Sequence, residues 1–316
     1  MNISFVIPNF NGEALLKKNL PKVLTIAKNY KNGKSEIVIA DDSSKDDSIV
    51  FLKKFCDKNK SHVLITILEN STGKNKGYAT NVNKGVEAAK GEIIILLNTD
   101  VLPSDNFLEP LLKHFENENV FAVGCMDESI ENGKKILRGR GVGKWNKGFL
   151  IHARGDVEGG NSTLWVSGGS GAFRKSTWEK IDGLNELYNP FYWEDIDISY
   201  RAQKAGYGVL FEKKSIVRHE HETGSIKQNY TSFSVRKTAY RNQFFFTWLN
   251  ATDTMLLIQN VLYLPTFLIK AVIREDKAFL FGFGEALFSL PKVLQERKNV
   301  QHLVVLSDRA VISKIN

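Results

Sequence analysis

The sequence predicts an α/β fold, in which a mostly parallel, twisted sheet is flanked by helices and followed by a C-terminal helical extension. Strand-length apolar runs at 3–7, 36–40, 63–68 and 92–97 alternate with helical patterns at 13–28, 47–58 and 77–89, which is the order of a parallel sheet with crossover helices. Small, polar and acidic residues gather directly after the strands, and long helical patterns take over beyond Ser225. This divides the chain into an α/β part at 1–225 and a helical part at 226–316.

Taken in order, the second helix can be capped by Asp46 or Asp47, and Gly91 after Lys90 ends the third where the next strand begins. From 133 to 171 the chain is glycine-rich and reads as irregular, carrying Arg138, Arg140, Trp145, His152 and Arg154, so a mobile region over a site is expected. Order returns with a helix at 175–181, a turn at Asp182-Gly183, the aromatic stretch Phe191-Tyr192-Trp193 and a helix at 194–205. Two short strands are expected at 208–211 and 216–219. Three long helices follow, at about 230–250, 253–273 and 281–297.

Composition narrows the function. The 316 residues are 42% hydrophobic, as in an ordinary globular protein, and the formal charge is +8. No arginine-rich stretch interleaved with aromatics is present, so nucleic acid is not expected as a partner; lysines and arginines instead recur beside apolar helices in the C-terminal third. An anionic membrane surface fits that distribution better. Cys56 and Cys125 have no zinc-binding spacing and read as buried thiols. The first residues read as a strand rather than a secretory signal, which predicts a cytoplasmic protein.

Ligands of parallel α/β sheets sit at the carboxyl ends of the strands. The segments there are Pro8-Asn9-Phe10-Asn11-Gly12, Asp41-Asp42-Ser43-Ser44 and Asn98-Thr99-Asp100. Asp100 ends a strand reading Ile-Ile-Ile-Leu-Leu-Asn-Thr-Asp, where a carboxylate serves no core; it suits a hard divalent cation, with a turn residue before Pro103 as the alternative. Asp41 and Asp42 can accept from a base or ribose, or open the helix that follows. Trp193-Glu194-Asp195-Ile196-Asp197 places acids in the first turn of a helix beside an aromatic wall. The helix N-terminus favours the ionised carboxylate and burial raises its pKa, a combination that suits a general base. His219 ends a strand and could complete a metal shell, although His221 lies two residues on.

In order along residues 3 to 225, these pieces, with Asn75-Lys76-Gly77-Tyr78-Ala79, Asn83-Lys84-Gly85, Gly168 to Arg174 and Gly183-Leu184-Asn185-Glu186, resemble family 2 glycosyltransferases of the GT-A fold, particularly bacterial rhamnosyltransferase-like members. The resemblance implies an inverting transfer from a UDP- or dTDP-sugar to a glycan or lipid-linked acceptor in cell-envelope glycan synthesis. It implies Asp195 as catalytic base and Asp100 with His219 as ligands of Mg²⁺ or Mn²⁺. For the nucleotide-sugar donor it implies contacts from Pro8, Asn9, Asp41, Asp42, Asn83, Asn98, Gly169 and Glu194. Asn98 stands where many such enzymes carry the first aspartate of an Asp-x-Asp pattern, which removes one negative ligand. The alternatives are a sugar nucleotidyltransferase and a catalytically degenerate scaffold partner.

From 254 to 269 no charged residue occurs, yet Gln259, Asn260 and Pro265 interrupt the run and Lys270 follows. A spanning helix needs about 20 apolar residues. The expectation is therefore a helix lying on the inner face of the cell membrane, with Lys270, Arg274 and Lys277 toward lipid phosphates and the phenylalanines near 279–288 adding apolar surface. Internal packing or a homodimer contact is the other use for these helices.

Overall fold

The computed structural model describes residues 1–59, 63–131, 134–219 and 230–315. Its frame is a mixed sheet. Strands β1 (Ile3–Asn9), β2 (Ser35–Asp41), β3 (Leu64–Glu69) and β4 (Ile93–Leu97) run parallel in the order β3-β2-β1-β4, connected by helices α1 (Glu13–Asn29), α2 (Ser48–Lys58) and α3 (Tyr78–Ala88). Every residue of β1 and β4 is buried, as expected for strands covered on both faces.

Alternation along the strands builds two cores. Phe5, Ile7, Ile37, Ile39, Ile93, Ile95 and Leu97 point to one face, where Leu16, Leu20, Val23, Leu24 and Ala27 of α1 meet them at helical spacing. Val6, Val38, Ile94 and Leu96 point to the other face, against Ala79, Val82 and Val86 of α3. Each fully buried aliphatic or aromatic side chain of this kind contributes roughly 1.5–3 kcal/mol.

Beyond β4 the sheet changes direction. The short β5 (Val101–Pro103) and helix α4 (Leu108–Lys113) lead to β6 (Val120–Glu131) and β7 (Lys134–Arg138), and β8 (Gly141–Asn146) and β9 (Phe149–Arg154) form a separate hairpin. Strand β10 (Ser170–Arg174) runs antiparallel between β4 and β6, and after α5 (Lys175–Lys180) and α6 (Glu194–Lys204) strand β11 (Gly208–His219) adds beside β6. Strand ends carrying Asn9, Asp42, Asn98 and His219 thereby converge on one edge.

Several sequence expectations change here. Much of the stretch expected to be irregular, up to Arg154, carries strands: β7 pairs with β6, and the β8–β9 hairpin turns at Lys147-Gly148, both with positive φ (52° and 76°) as a two-residue primed turn requires. Its glycines mark close packing, since a Cβ at Gly141 would lie 2.1 Å from the Trp165 ring and one at Gly143 2.6 Å from Leu164. The two short strands are one strand with a register shift between Glu212 and Ile216. The last predicted helix is two, α9 (Lys277–Phe288) and α10 (Leu290–Gln301), parted at Ser289 before Pro291.

The other C-terminal helices are α7 (Ser232–Asn250), α8 (Thr254–Ile273) and α11 (Asp308–Ser313). Pro265 does not interrupt α8, a 20-residue helix long and apolar enough by length and composition to cross a membrane. Helix α7 is rooted in a third core, where Phe244, Phe245, Phe246 and Leu249 pack with Phe149 and Leu150 of the hairpin and with Trp193, Ile196 and Tyr200. Its Asn250 donates to Asp197 at 2.7 Å.

Candidate active site

A cleft of about 400 Å³ opens along the converging strand ends. Pro8, Asn9, Asp42, Asn98, Asp100, Gly169, Glu194, Asp195 and His219 all line it. Asp41 and Asn83 do not. The Asp41 carboxylate is turned inward, accepting from the Asn9 amide at 2.7 Å, the Ser44 N–H at 3.0 Å and the Ser44 hydroxyl at 2.6 Å, so it holds the loops that shape the cleft. Asn83 donates to the Leu184 carbonyl and accepts from its N–H, fastening α3 to the turn after α5.

Asp42 faces the cleft but is also an anchor: it accepts from the Asn70 amide (2.7 Å) and from the N–H groups of Lys76 (2.8 Å) and Gly77 (3.0 Å). Gly77 has φ +99°, and a Cβ there would lie 2.5 Å from the Asn189 side chain, so this approach requires glycine. A Cβ at Gly169 would likewise meet the Asn98 amide at 2.7 Å. Tyr78, quoted above only within a motif, closes the floor by donating to the Gly168 carbonyl at 2.7 Å; burial and the charges of Glu194, Asp195 and Asp100 push its phenol well above the ordinary range.

In the middle of the cleft Asp100 Oδ2 lies 3.2 Å from His219 Nε2, and Asp127 Oδ2 lies 3.2 Å from His219 Nδ1. Burial lowers the imidazole pKa, but the hydrogen bonds and charges of the two carboxylates outweigh it and raise it to about 9. Asp127 escaped the sequence reading; its signal is an acid inside the apolar strand β6, beside β11. A metal-binding histidine commonly has a carboxylate on its other ring nitrogen, the place that Asp127 takes at Nδ1 here. The Asp100 carboxylate suits Mg²⁺ or Mn²⁺. Among the described residues no group of three His, Cys, Asp or Glu side chains is placed to hold an ion. Asp100 and His219 would supply two ligands. His221 lies outside the described residues.

Asp195 stands in the first turn of α6. Burial raises its carboxyl to about 6 against the pull of N–H groups, including that of Ile196 at 2.8 Å. Glu194 beside it is pushed well above the usual carboxylate range by burial and by the charge of Asp195. The approach to these acids is strained: Tyr192 and Trp193 both adopt left-handed backbone, φ 72° and 76°. Such residues cost about 1–3 kcal/mol each and persist only where surrounding structure imposes them.

Asn242 of α7, fully buried, imposes them here. Its Nδ2 donates to the carbonyls of Tyr188, Phe191 and Tyr192, each at 2.9 Å, while Arg241 donates to the Asn189 carbonyl at 2.6 Å. An amide on a helix reads as surface in the sequence, which is why it was missed. Asn242→Ala should lower stability by about 1–3 kcal/mol, the cost of leaving buried carbonyls unpaired. It should also lower turnover more than donor affinity, as thermal melts with separate kcat and KM measurements would show; unchanged kcat in a folded variant would remove the positioning role.

The sequence model described as glycosyl transferase family 2 matches residues 4–181. The chain is 24% identical over 223 residues to the O-antigen chain rhamnosyltransferase RfbN of Salmonella typhimurium, covering 70% of this chain and 67% of that protein. It is 26% identical over 195 residues to WbaN of Salmonella anatum, also an O-antigen chain rhamnosyltransferase, covering 60% and 58%. Among solved structures, S. aureus TarS 1-349 with UDP-GlcNAc superposes with a TM-score of 0.59 at 16% identity, covering 96% of this chain and 84% of that one. The mannosyltransferase PcManGT of Pyrobaculum calidifontis, with GDP-Man and Mn²⁺, gives 0.56 at 15% identity over 95% and 85%.

Proposed function

The chain belongs to glycosyl transferase family 2 and has the GT-A fold, and on that footing we propose that it transfers a sugar from a nucleotide-sugar donor, with inversion, to a hydroxyl of a glycan or lipid-linked acceptor of the cell envelope. One observation carries the reading: a single cleft joins a partly buried carboxylate of pKa about 6, Asp195, to the Asp100–His219 pair. The relatives' rhamnosyltransferase names support a cell-envelope glycan, and the nucleotide sugars and Mn²⁺ of the structural neighbours support donor and ion.

The nucleoside end of the donor lies along Pro8, Asn9 and Asp42, and Asp100 with His219 would hold Mg²⁺ or Mn²⁺ at the diphosphate. That ion, when bound, offsets the charge of the leaving nucleoside diphosphate. Asp195 takes the proton of the acceptor hydroxyl as its oxygen bonds to the anomeric carbon and the bond to the diphosphate breaks on the opposite face. Gly169, without a side chain, lets backbone approach the donor beside Asn98. A nucleotide-release screen over UDP-, dTDP- and GDP-sugars, with and without Mn²⁺, tests this; no release from any donor would overturn it.

Membrane attachment rests on α8 and α9. Val261, Leu262, Val272 and Ile273 of α8 and Phe281 and Phe288 of α9 are more than half exposed, with Phe288 at 90%. Lys270, Arg274 and Lys277 are exposed beside them. Helix α8 is tied to the domain partway along its length, by Asn260 accepting from Trp248 Nε1 (3.1 Å) and donating to the Gly148 carbonyl (3.3 Å). This favours lying on the membrane over crossing it. Three cations at about 1 kcal/mol each shift partitioning by roughly two decades. The protein should float with anionic vesicles and be partly released by high salt; staying soluble beside them at low salt would assign this surface to a dimer contact instead.

A further inference from the structure

A second cavity, of about 290 Å³, adjoins the cleft and shares Ser167 and His219 with it. It lies over β6 and β10, next to the Asp100–His219 pair. Resting on the reading above, in which the donor fills the cleft itself, the adjoining cavity is the space left for the acceptor. Its wall also reaches the catalytic helix: the His152 ring sits edge-on between Trp165 (5.4 Å between centroids) and Trp193 (5.0 Å), the residue before Glu194.

The charges of the two spaces are opposite. The cleft is lined by Asp42, Asp100, Glu194 and Asp195, whereas the cavity is lined by Arg138, Arg140 and Arg154, with Asp127, bonded to His219, as its one acid among the described residues. Arg140 is structural, donating to the carbonyls of Ser162 (3.0 Å) and Ile315 (2.7 Å), and Arg138 donates to the Ser129 hydroxyl. Arg154, exposed at the end of β9, has no carboxylate partner among the described residues. A guanidinium of this kind suits a phosphate or carboxylate, and the neighbouring indole suits the face of a sugar ring.

We propose that this cavity is an acceptor subsite for a negatively charged sugar unit, held by Arg154 through a phosphate or carboxylate and by Trp165 through the ring. The test is ligand-observed NMR titration of glucose 6-phosphate, glucuronate, glucose and inorganic phosphate against the full chain with UDP saturating, UDP binding being measured first. The two charged sugars should bind about tenfold or more tightly than glucose, and Arg154→Gln should abolish that preference while leaving UDP binding unchanged. Preference for one charged sugar over the other identifies phosphate or carboxylate as the group. Equal binding of charged and neutral sugars, an unchanged preference in Arg154→Gln, or inorganic phosphate binding as well as glucose 6-phosphate would overturn the proposal. Failure of UDP to bind would strike the donor reading instead, and the Arg154-dependent preference would still be read from the same titration.

Discussion

Asp195→Asn is expected to lower kcat by about 10²–10⁴, the usual contribution of general acid–base catalysis, with donor binding nearly unchanged. The amide preserves the shape of the partly buried side chain but cannot accept the proton of the acceptor hydroxyl. The pH profile gives an independent reading. Burial lifts the Asp195 carboxyl to about 6, so the base is ionised above that value and kcat/KM of the wild type should fall as pH drops through it. The variant should lose that acidic limb. If it keeps both the rate and the limb, Asp195 leaves the mechanism and Glu194 or Asp197 becomes the group to examine; of these, Asp197 is fully buried and already holds Arg201 Nε at 2.7 Å and the Tyr188 hydroxyl at 3.0 Å.

Much of the parallel half of the fold was legible because β1, β2 and β4 are buried and read as apolar runs; β1, β2, β4 and the edge strand β3 fall within a residue or two of the expected positions. The hairpin at Gly141–Asn146 and Phe149–Arg154 was not legible, because its glycines serve close approach to Trp165 and Leu164 and mimic a flexible loop in one dimension. The cleft was readable where a residue's place follows from its strand, as for Asn98, Asp100 and His219. It was less so where two adjacent acids diverge. Asp41, the last residue of β2, turns in toward Asn9 and Ser44, while Asp42 turns out to the Gly77 loop. Asp127 and Asn242 act only across tertiary contacts, at 92 residues from His219 and at 50 to 54 residues from the carbonyls that Asn242 holds, and no local pattern marks them.

Asp100→Ala is expected to leave a folded protein that no longer transfers sugar. The residue follows a buried strand but its carboxylate faces the cleft, where its close partner is the His219 imidazole at 3.2 Å. Its loss should remove one of the proposed protein ligands for the divalent cation and cost roughly 10³-fold or more in rate, the scale of several kcal/mol of charge stabilisation at the leaving diphosphate. Direct titration with Mn²⁺, followed by the electron paramagnetic resonance of the free ion, should show binding in the wild type and a large loss in the variant. An intact thermal transition would show that the fold survives. His219→Ala should weaken Mn²⁺ binding in the same way, and Asp127→Asn less so, because Asp127 acts on the ion only by orienting the ring. Wild-type protein that keeps full activity in excess EDTA would end the metal reading. Asp100 would then matter through its contact with His219 alone, and the two alanine variants should lose activity with no change in Mn²⁺ titration.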